Sequence, residues 1–322
     1  MRTTVRLAVG LACGAAVVLG IATPALAFGG GPELSVSADA LDAALDCVDG
    51  DSDLDPVLLI PGTGLTPGPN FDWNYESLFA SQDRAYCTVE LPFSATGDIQ
   101  VAAEYVVHAL REMGPGTDVV GYSQGGMIGR WALKYWPDTR DLVDDLVGLA
   151  PSNHGTLDAD VLCAAGPCAP ALHQQTLTAD FIDALNTGPE TWAGIDYTVA
   201  YTLLDELVVP NAVPPASSPL RGGEGDISNL AVQEVCPGHV ADHLTIGTFD
   251  AVAAAIALDA LDADGPADAD RIDRAVCVAP FMPGVDPVTF PGDLARFSAA
   301  VGTGIATAPL VPAEPGLAGY TG

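Results

Sequence analysis

The residues able to do nucleophilic chemistry centre on Ser123. It stands in Gly121-Tyr122-Ser123-Gln124-Gly125, a G-x-S-x-G pentapeptide. Before it, Asp118-Val119-Val120 reads as a short buried strand. After it, Met127, Trp131, Ala132 and Tyr135 follow at helical spacing, and Pro137 ends that helix near Trp136. Strand, sharp turn and helix make a nucleophile elbow. The turn is tight, so small residues must flank the serine, and Gly121 and Gly125 supply that room. The hydroxyl is thereby lifted above a sheet beside a helix N-terminus, where the N–H of Gln124 can face a developing oxyanion.

A serine hydroxyl needs a base, and the base needs an orienting acid. Tyr197 to Leu204 is strand-like and ends at Asp205, where a carboxylate can hold an imidazole. Val240-Ala241-Asp242-His243-Leu244 follows. Of the five histidines, His108 precedes the serine, and His154 and His173 precede the acid. His239 is left as the alternative to His243. Ser123, Asp205 and His243 stand in the chain order of α/β-hydrolase triads. In such a set His243 takes the Ser123 proton and later returns it to the leaving group, while Asp205 fixes the tautomer. A second oxyanion donor comes from Pro61-Gly62-Thr63-Gly64, at the end of the apolar run Pro56 to Ile60. Its donors are the Thr63 N–H and, in addition, the Thr63 hydroxyl.

These residues must be carried by a sheet. Val57 to Ile60 is apolar throughout, as in a strand buried on both faces. Ala85 to Leu91 is a second strand. Gly97-Asp98 opens a helix to about Met113, with Ile99, Ala102, Tyr105, Val106, Ala109, Leu110 and Met113 on one face. Leu142 to Ala150 is a further strand, and Leu230 to Val235 is expected to be the last. Ala38 to about Cys47 reads as a helix capped by Ser37, and Gln174 to Leu185 as another. A buried helix is expected over Phe249 to Leu261. The alternation predicts an α/β fold, a mainly parallel central sheet flanked by helices, in one domain over 28–322. Residues 155–172, rich in Ala, Gly and Pro, are a lid candidate. Asp293 to Ala306 suggests a helix walling a pocket, and 308–322 a loose tail.

The start of the chain has the pattern of an export leader: Arg2 and Arg6, an apolar run from Leu7 to Gly20, and Ala25-Leu26-Ala27 as the cleavage signal. Secretion after Ala27 is the expectation, with Cys13 discarded. The chain carries 11 Lys+Arg against 42 Asp+Glu, a formal charge of −31. Such a surface repels nucleic acid and anionic membranes, so neither a nucleic-acid partner nor stable membrane insertion is expected. A soluble monomer acting on a small ester or lipid is. Six cysteines remain after processing, and in an exported chain they should pair, each bond adding roughly 2–4 kcal/mol. Cys163 and Cys168 are close enough in sequence to close a small loop. With neither a C-x-x-C nor an H-E-x-x-H spacing, no metal site is expected, and no cofactor is needed.

Beyond the triad, several stretches run in an order that resembles the α/β-hydrolase lipases typified by Candida antarctica lipase B. They are Leu41 to Cys47, Pro56 to Gly64, Ser123-Gln124-Gly125-Gly126, Gln174-Gln175-Thr176, Asp205-Glu206 and Asp242-His243. The resemblance covers roughly residues 38–280. It implies a triad at Ser123, Asp205 and His243, an oxyanion hole from Thr63 and Gln124, and Gln175 as a substrate-binding residue. It also implies pairing of Cys47 with Cys87 and of Cys236 with Cys277. The activity implied is that of a serine carboxylester hydrolase, foremost a lipase on acylglycerols. A short-chain esterase, a polyesterase or an acyltransferase would use the same machinery. The chain departs from the family pattern at Gly121 and Tyr122, where threonine and tryptophan are usual. It also has an extra cysteine pair at Cys163 and Cys168, and no cysteine after Cys277.

Overall fold

In the computed structural model residues 30–322 are described, and the leader expected over 1–27 lies outside them. The described residues form a seven-stranded sheet: β1 Leu45–Val48, β2 Val57–Ile60, β3 Tyr86–Val89, β4 Thr117–Tyr122, β5 Val143–Leu149, β6 Asp196–Tyr201 and β7 Asp226–Ala231. The order across the sheet is β1-β3-β2-β4-β5-β6-β7. Only β1 runs antiparallel. β2, β3 and β4 are buried at every position, as strands covered on both faces must be. Helices Ile99–Met113 and Gln124–Tyr135 cover one face, and Ala251–Leu261 lies in the core on the other. The first of these is capped by Asp98, whose carboxylate accepts from Gln100 N–H at 2.9 Å.

Four expectations need correction. The helix read over 38–47 stops at Asp42, and Leu45–Val48 is a strand. Its register on β3 sets Cys47 directly opposite Cys87, and the two are bonded. Ser37 does occupy the N-cap, but its side chain makes no capping bond. The last strand lies earlier than Leu230 to Val235. Asp226–Ala231 pairs with β6, and Val232–Val235 turns into a short helix. As an edge strand β7 needs only one partner, so its polar residues are tolerated. The helix read over 174–185 is confined to Asp180–Asn186, because Gln174 and Gln175 are buried and committed to other hydrogen bonds. The expected loose tail is tied down instead. Val311 forms a β-bridge with Cys168, Glu314 accepts from Asp180 and Phe181 N–H, and Tyr320 packs on Trp131, Tyr135 and Trp136. Cys163–Cys168 and Cys236–Cys277 are bonded too.

At the end of the sheet opposite the strand C-termini, Asp144, Asp145 and Asp196 share a basin with Asp53, Asp55, Asp262 and Asp264. Arg84 answers two carboxylates here, Asp118 at 2.8 Å and Asp262 at 3.0 Å. Asp145 is 9% exposed, and its buried Oδ1 finds no hydrogen-bond partner among the described residues. Burial, then the fields of Asp118, Asp196, Asp144 and Asp55, push its carboxyl up to about 8. An unfolded aspartate titrates near about 3.9. The folded chain therefore holds a proton that the unfolded chain has released. That contribution to stability is full below about pH 4 and is lost as pH rises through about 8. Asp145→Asn cannot lose it. Melting temperatures measured from about pH 5 to 9 should show the wild type falling away from Asp145→Asn as pH rises. Parallel curves would refute this.

Candidate active site

The elbow is built as the glycines require. A Cβ on Gly121 would lie 2.3 Å from Gly126 N, and one on Gly125 would lie 2.2 Å from Ile60 O. Both contacts are impossible for a real side chain. Between them Ser123 is held at φ 54°, ψ −122°, a strained conformation, with its N–H donating to Leu149 O at 2.8 Å. The surrounding strands β2, β4 and β5 over-determine that geometry.

The structure brings Ser123, His243 and Asp205 together. His243 Nε2 lies 3.0 Å from Ser123 Oγ, and Nδ1 lies 3.0 Å from Asp205 Oδ2. Asp205 can only accept when ionised, so Nδ1 carries the proton and Nε2 is left to accept from the serine. The Asp205 side chain is buried. Its Oδ1 accepts from Leu207 N–H at 3.0 Å and Val208 N–H at 2.7 Å, and Oδ2 also receives the Asn211 amide at 3.5 Å. These bonds fold the loop after β6 around the carboxylate. His239, the alternative base, is turned away: its Nε2 lies 2.6 Å from Asp250 at the N-cap of the core helix.

Two residues to which no role at the histidine was assigned from the sequence also hold it in place. Tyr122 packs its ring 5.1 Å from that of His243 and donates its hydroxyl to His243 O at 3.2 Å. Gly247 permits this approach, since a Cβ there would strike the Tyr122 ring at 2.1 Å. Burial, then the charges of Asp205, Glu206 and Asp242, hold the Tyr122 phenol well above its ordinary value, so it remains a donor. Glu206 accepts from His243 N–H at 3.0 Å. Adjacency was the available signal: Tyr122 precedes the serine and Glu206 follows the acid.

Thr63 and Gln124 meet beside Ser123. The Thr63 hydroxyl donates to Gln124 Oε1 at 2.9 Å. Gln175 is buried there as well, with its amide directed at protein groups. All of this opens into a cavity of about 410 Å³. Thr63, Ser123, Gln175 and His243 line its floor. The helix Phe290–Ala306 forms one wall through Phe297, Val301 and Ile305, as read from the sequence. The helix Leu157–Cys163, within the lid candidate, forms another through Ala159 and Leu162. Leu157, Val161 and Leu162 on that helix are exposed.

Behind the strand end at residues 151–154 lies a buried polar cluster that the sequence did not signal. Arg130, on the elbow helix, donates to Glu190 O, Asn153 Oδ1 and Asn186 Oδ1. His154 bridges Ser217 O at 2.8 Å and Glu190 Oε1 at 3.1 Å. Burial works to raise the Glu190 carboxyl, but the hydrogen bond to His154, the charge of Arg130 and the N–H of Arg221 hold it below its ordinary value. The cluster fastens the strand end at residues 151–156 to the loop that carries Asp205.

No family model matches the sequence. Lipase B of Pseudozyma antarctica is 34% identical over 225 residues, spanning 67% of this chain and 65% of that protein. This chain thus spans a little under two thirds of that relative's length. The structure of Aspergillus fumigatus lipase B superposes with a TM-score of 0.80 at 29% identity, covering 97% of this chain and 77% of that one. With a mainly parallel sheet, a glycine-flanked serine elbow and this likeness in both sequence and structure, the chain belongs to the lipase B-like family of the α/β-hydrolase fold.

Proposed function

We propose that this protein is an exported serine carboxylester hydrolase, foremost a lipase. The observation that carries the reading is the pair of 3.0 Å contacts linking Ser123, His243 and Asp205 at the floor of an apolar cavity. Ser123 Oγ attacks the ester carbonyl as His243 Nε2 takes its proton. The carbonyl oxygen becomes an oxyanion, received by the N–H groups of Thr63 and Gln124. The tetrahedral species collapses, the C–O bond to the alcohol breaks, and His243 returns the proton to the departing alkoxide. Water, deprotonated by His243, then attacks the acyl-enzyme and restores the free serine. Each donor of such a hole contributes about 2.7–4 kcal/mol to the transition state. No metal or organic cofactor enters these steps. The leader pattern and the three disulfides support export to an oxidising compartment.

Substrate length is the test. Hydrolysis of p-nitrophenyl esters from short to long acyl chains should extend to the long chains, because the walls from Phe297 and Leu162 are apolar along the cavity. Activity confined to the shortest esters would replace the lipase reading with an esterase. No turnover of any ester would remove both.

A further inference from the structure

The Thr63 hydroxyl has one proton, and in this structure that proton is directed at Gln124 Oε1 rather than at the space above Ser123. Four further bonds surround it. Gln175 Nε2 lies 3.1 Å from Thr63 Oγ1, 2.9 Å from Gln124 Oε1 and 3.0 Å from Ala171 O, so with one of its two N–H groups on Ala171 O the other is shared between Thr63 and Gln124. Gln124 Nε2 donates to Ala95 O at 3.1 Å. The two main-chain carbonyls decide which way both amides face. Ala95 O can only accept, so Gln124 must turn its nitrogen to it and its oxygen to Thr63. Ala171 O likewise takes the nitrogen of Gln175, and the Ser152 hydroxyl completes the arrangement by donating to Gln175 Oε1 at 2.8 Å. Ala95 ends three consecutive residues at φ 54–57°, Phe93, Ser94 and Ala95. Strained backbone thus presents one of the two anchoring carbonyls.

We propose that Gln175 is a positioning residue that leaves the Thr63 hydroxyl free to turn its proton onto the oxyanion. The inference rests on the reading of Ser123 as an acyl-enzyme nucleophile. When the hydroxyl turns, Gln124 Oε1 loses one donor but keeps Gln175 Nε2. Thr63 Oγ1 continues to share that same N–H. No buried polar atom is orphaned, and a neutral hydrogen bond is exchanged for one to an anion, which is stronger. Without the Gln175 donor, turning the hydroxyl would strand the buried Gln124 oxygen, and the proton would stay where it is. Gln175 therefore acts on turnover through Thr63 and not by holding substrate.

The test is a double-mutant cycle on a soluble p-nitrophenyl ester, with wild type, Gln175→Met, Thr63→Val and the double variant. Methionine keeps the volume of glutamine and removes its donors. The expected result is a fall in kcat of about 10- to 100-fold for Gln175→Met, with KM little changed. In the Thr63→Val background, where no hydroxyl proton remains to be freed, the same substitution should cost less than about twofold. Gln175→Glu, which puts an acceptor where the donor was, should lower kcat further, again only when Thr63 is present. Melting temperatures establish that each variant is folded. Equal losses in both backgrounds would overturn the proposal by showing that Gln175 acts independently of Thr63. A raised KM at unchanged kcat would overturn it in favour of a substrate contact. Failure of the wild type to turn over any ester would instead overturn the hydrolase reading on which it rests.

Discussion

Replacing Ser123 with alanine should lower kcat for ester hydrolysis by about a million-fold, with the fold intact. The size of the effect follows from what remains. The oxyanion donors, the cavity and the His243–Asp205 pair are untouched, yet no atom is left to form the acyl-enzyme. Only attack by water across the hole survives. Stability should change little, because the strained φ of 54° is imposed by β4 and the elbow helix, whichever of the two side chains is present. The group acts as a unit, so Ser123→Ala combined with His243→Ala should be no slower than either alone. Stopped assays at high enzyme concentration, with the melting temperature as control, measure both points. An alanine variant with more than about a thousandth of wild-type kcat would mean that Ser123 is a turn residue and the chemistry lies elsewhere.

Asp205→Asn is the second large effect, about 10⁴-fold in kcat. Here the structure dictates the direction. Asp205 Oδ1 accepts from Leu207 and Val208 N–H at 3.0 and 2.7 Å. An asparagine must keep its oxygen there and turn its amide nitrogen toward His243 Nδ1. Facing a donor, Nδ1 gives up its proton, which moves to Nε2. The imidazole then points a hydrogen at Ser123 Oγ and cannot accept one. The site keeps its shape and loses its base. Steady-state kinetics should show kcat falling far more than KM changes, since nothing that touches substrate has moved. A variant within tenfold of wild type would show that the carboxylate serves only to close the turn after β6.

The elements around the proposed nucleophile were the most legible in the sequence, and the reason is steric. Gly121 and Gly125 could be assigned because no other residue fits where the elbow presses on Ile60 O and Gly126 N. Val57–Ile60 could be assigned because a strand covered on both faces must be apolar throughout. Failures fall where a distant partner overrides local pattern. Leu45 to Cys47 has helical spacing but is drawn into β1 by its ladder with β3. Asp226 to Ala231 has little strand character, yet β6 supplies its hydrogen bonds. Gln174 and Gln175 lie in a plausible helix but are pulled inward, where Gln174 accepts from Ile99 N–H at 2.8 Å and Gln175 meets Thr63. The cluster of Arg130, His154 and Glu190 joins residues up to 60 apart in the chain. No spacing rule relates them. Asp205 and His243 could be proposed because their order and their place after a strand are constrained, whereas the donors that fix Asp205 emerge only with the loop.

The anchored tail has a consequence for the order of assembly. Tyr320 donates no chemistry, but its hydroxyl accepts from Trp131 Nε1 at 3.2 Å across 189 residues, and Val311 bridges to Cys168 beside the lid helix. The elbow helix and the segment that carries Cys168 are thus each buttressed by residues 311–320. Contacts of such long range form late, because loop closure must be met before they contribute. A chain still emerging can fold its central strands, but it cannot complete the packing behind Ser123 or fasten the roof above it. Residues 311–320 are the keystone, set late, and the elbow around Ser123 reaches its full support only once they have docked.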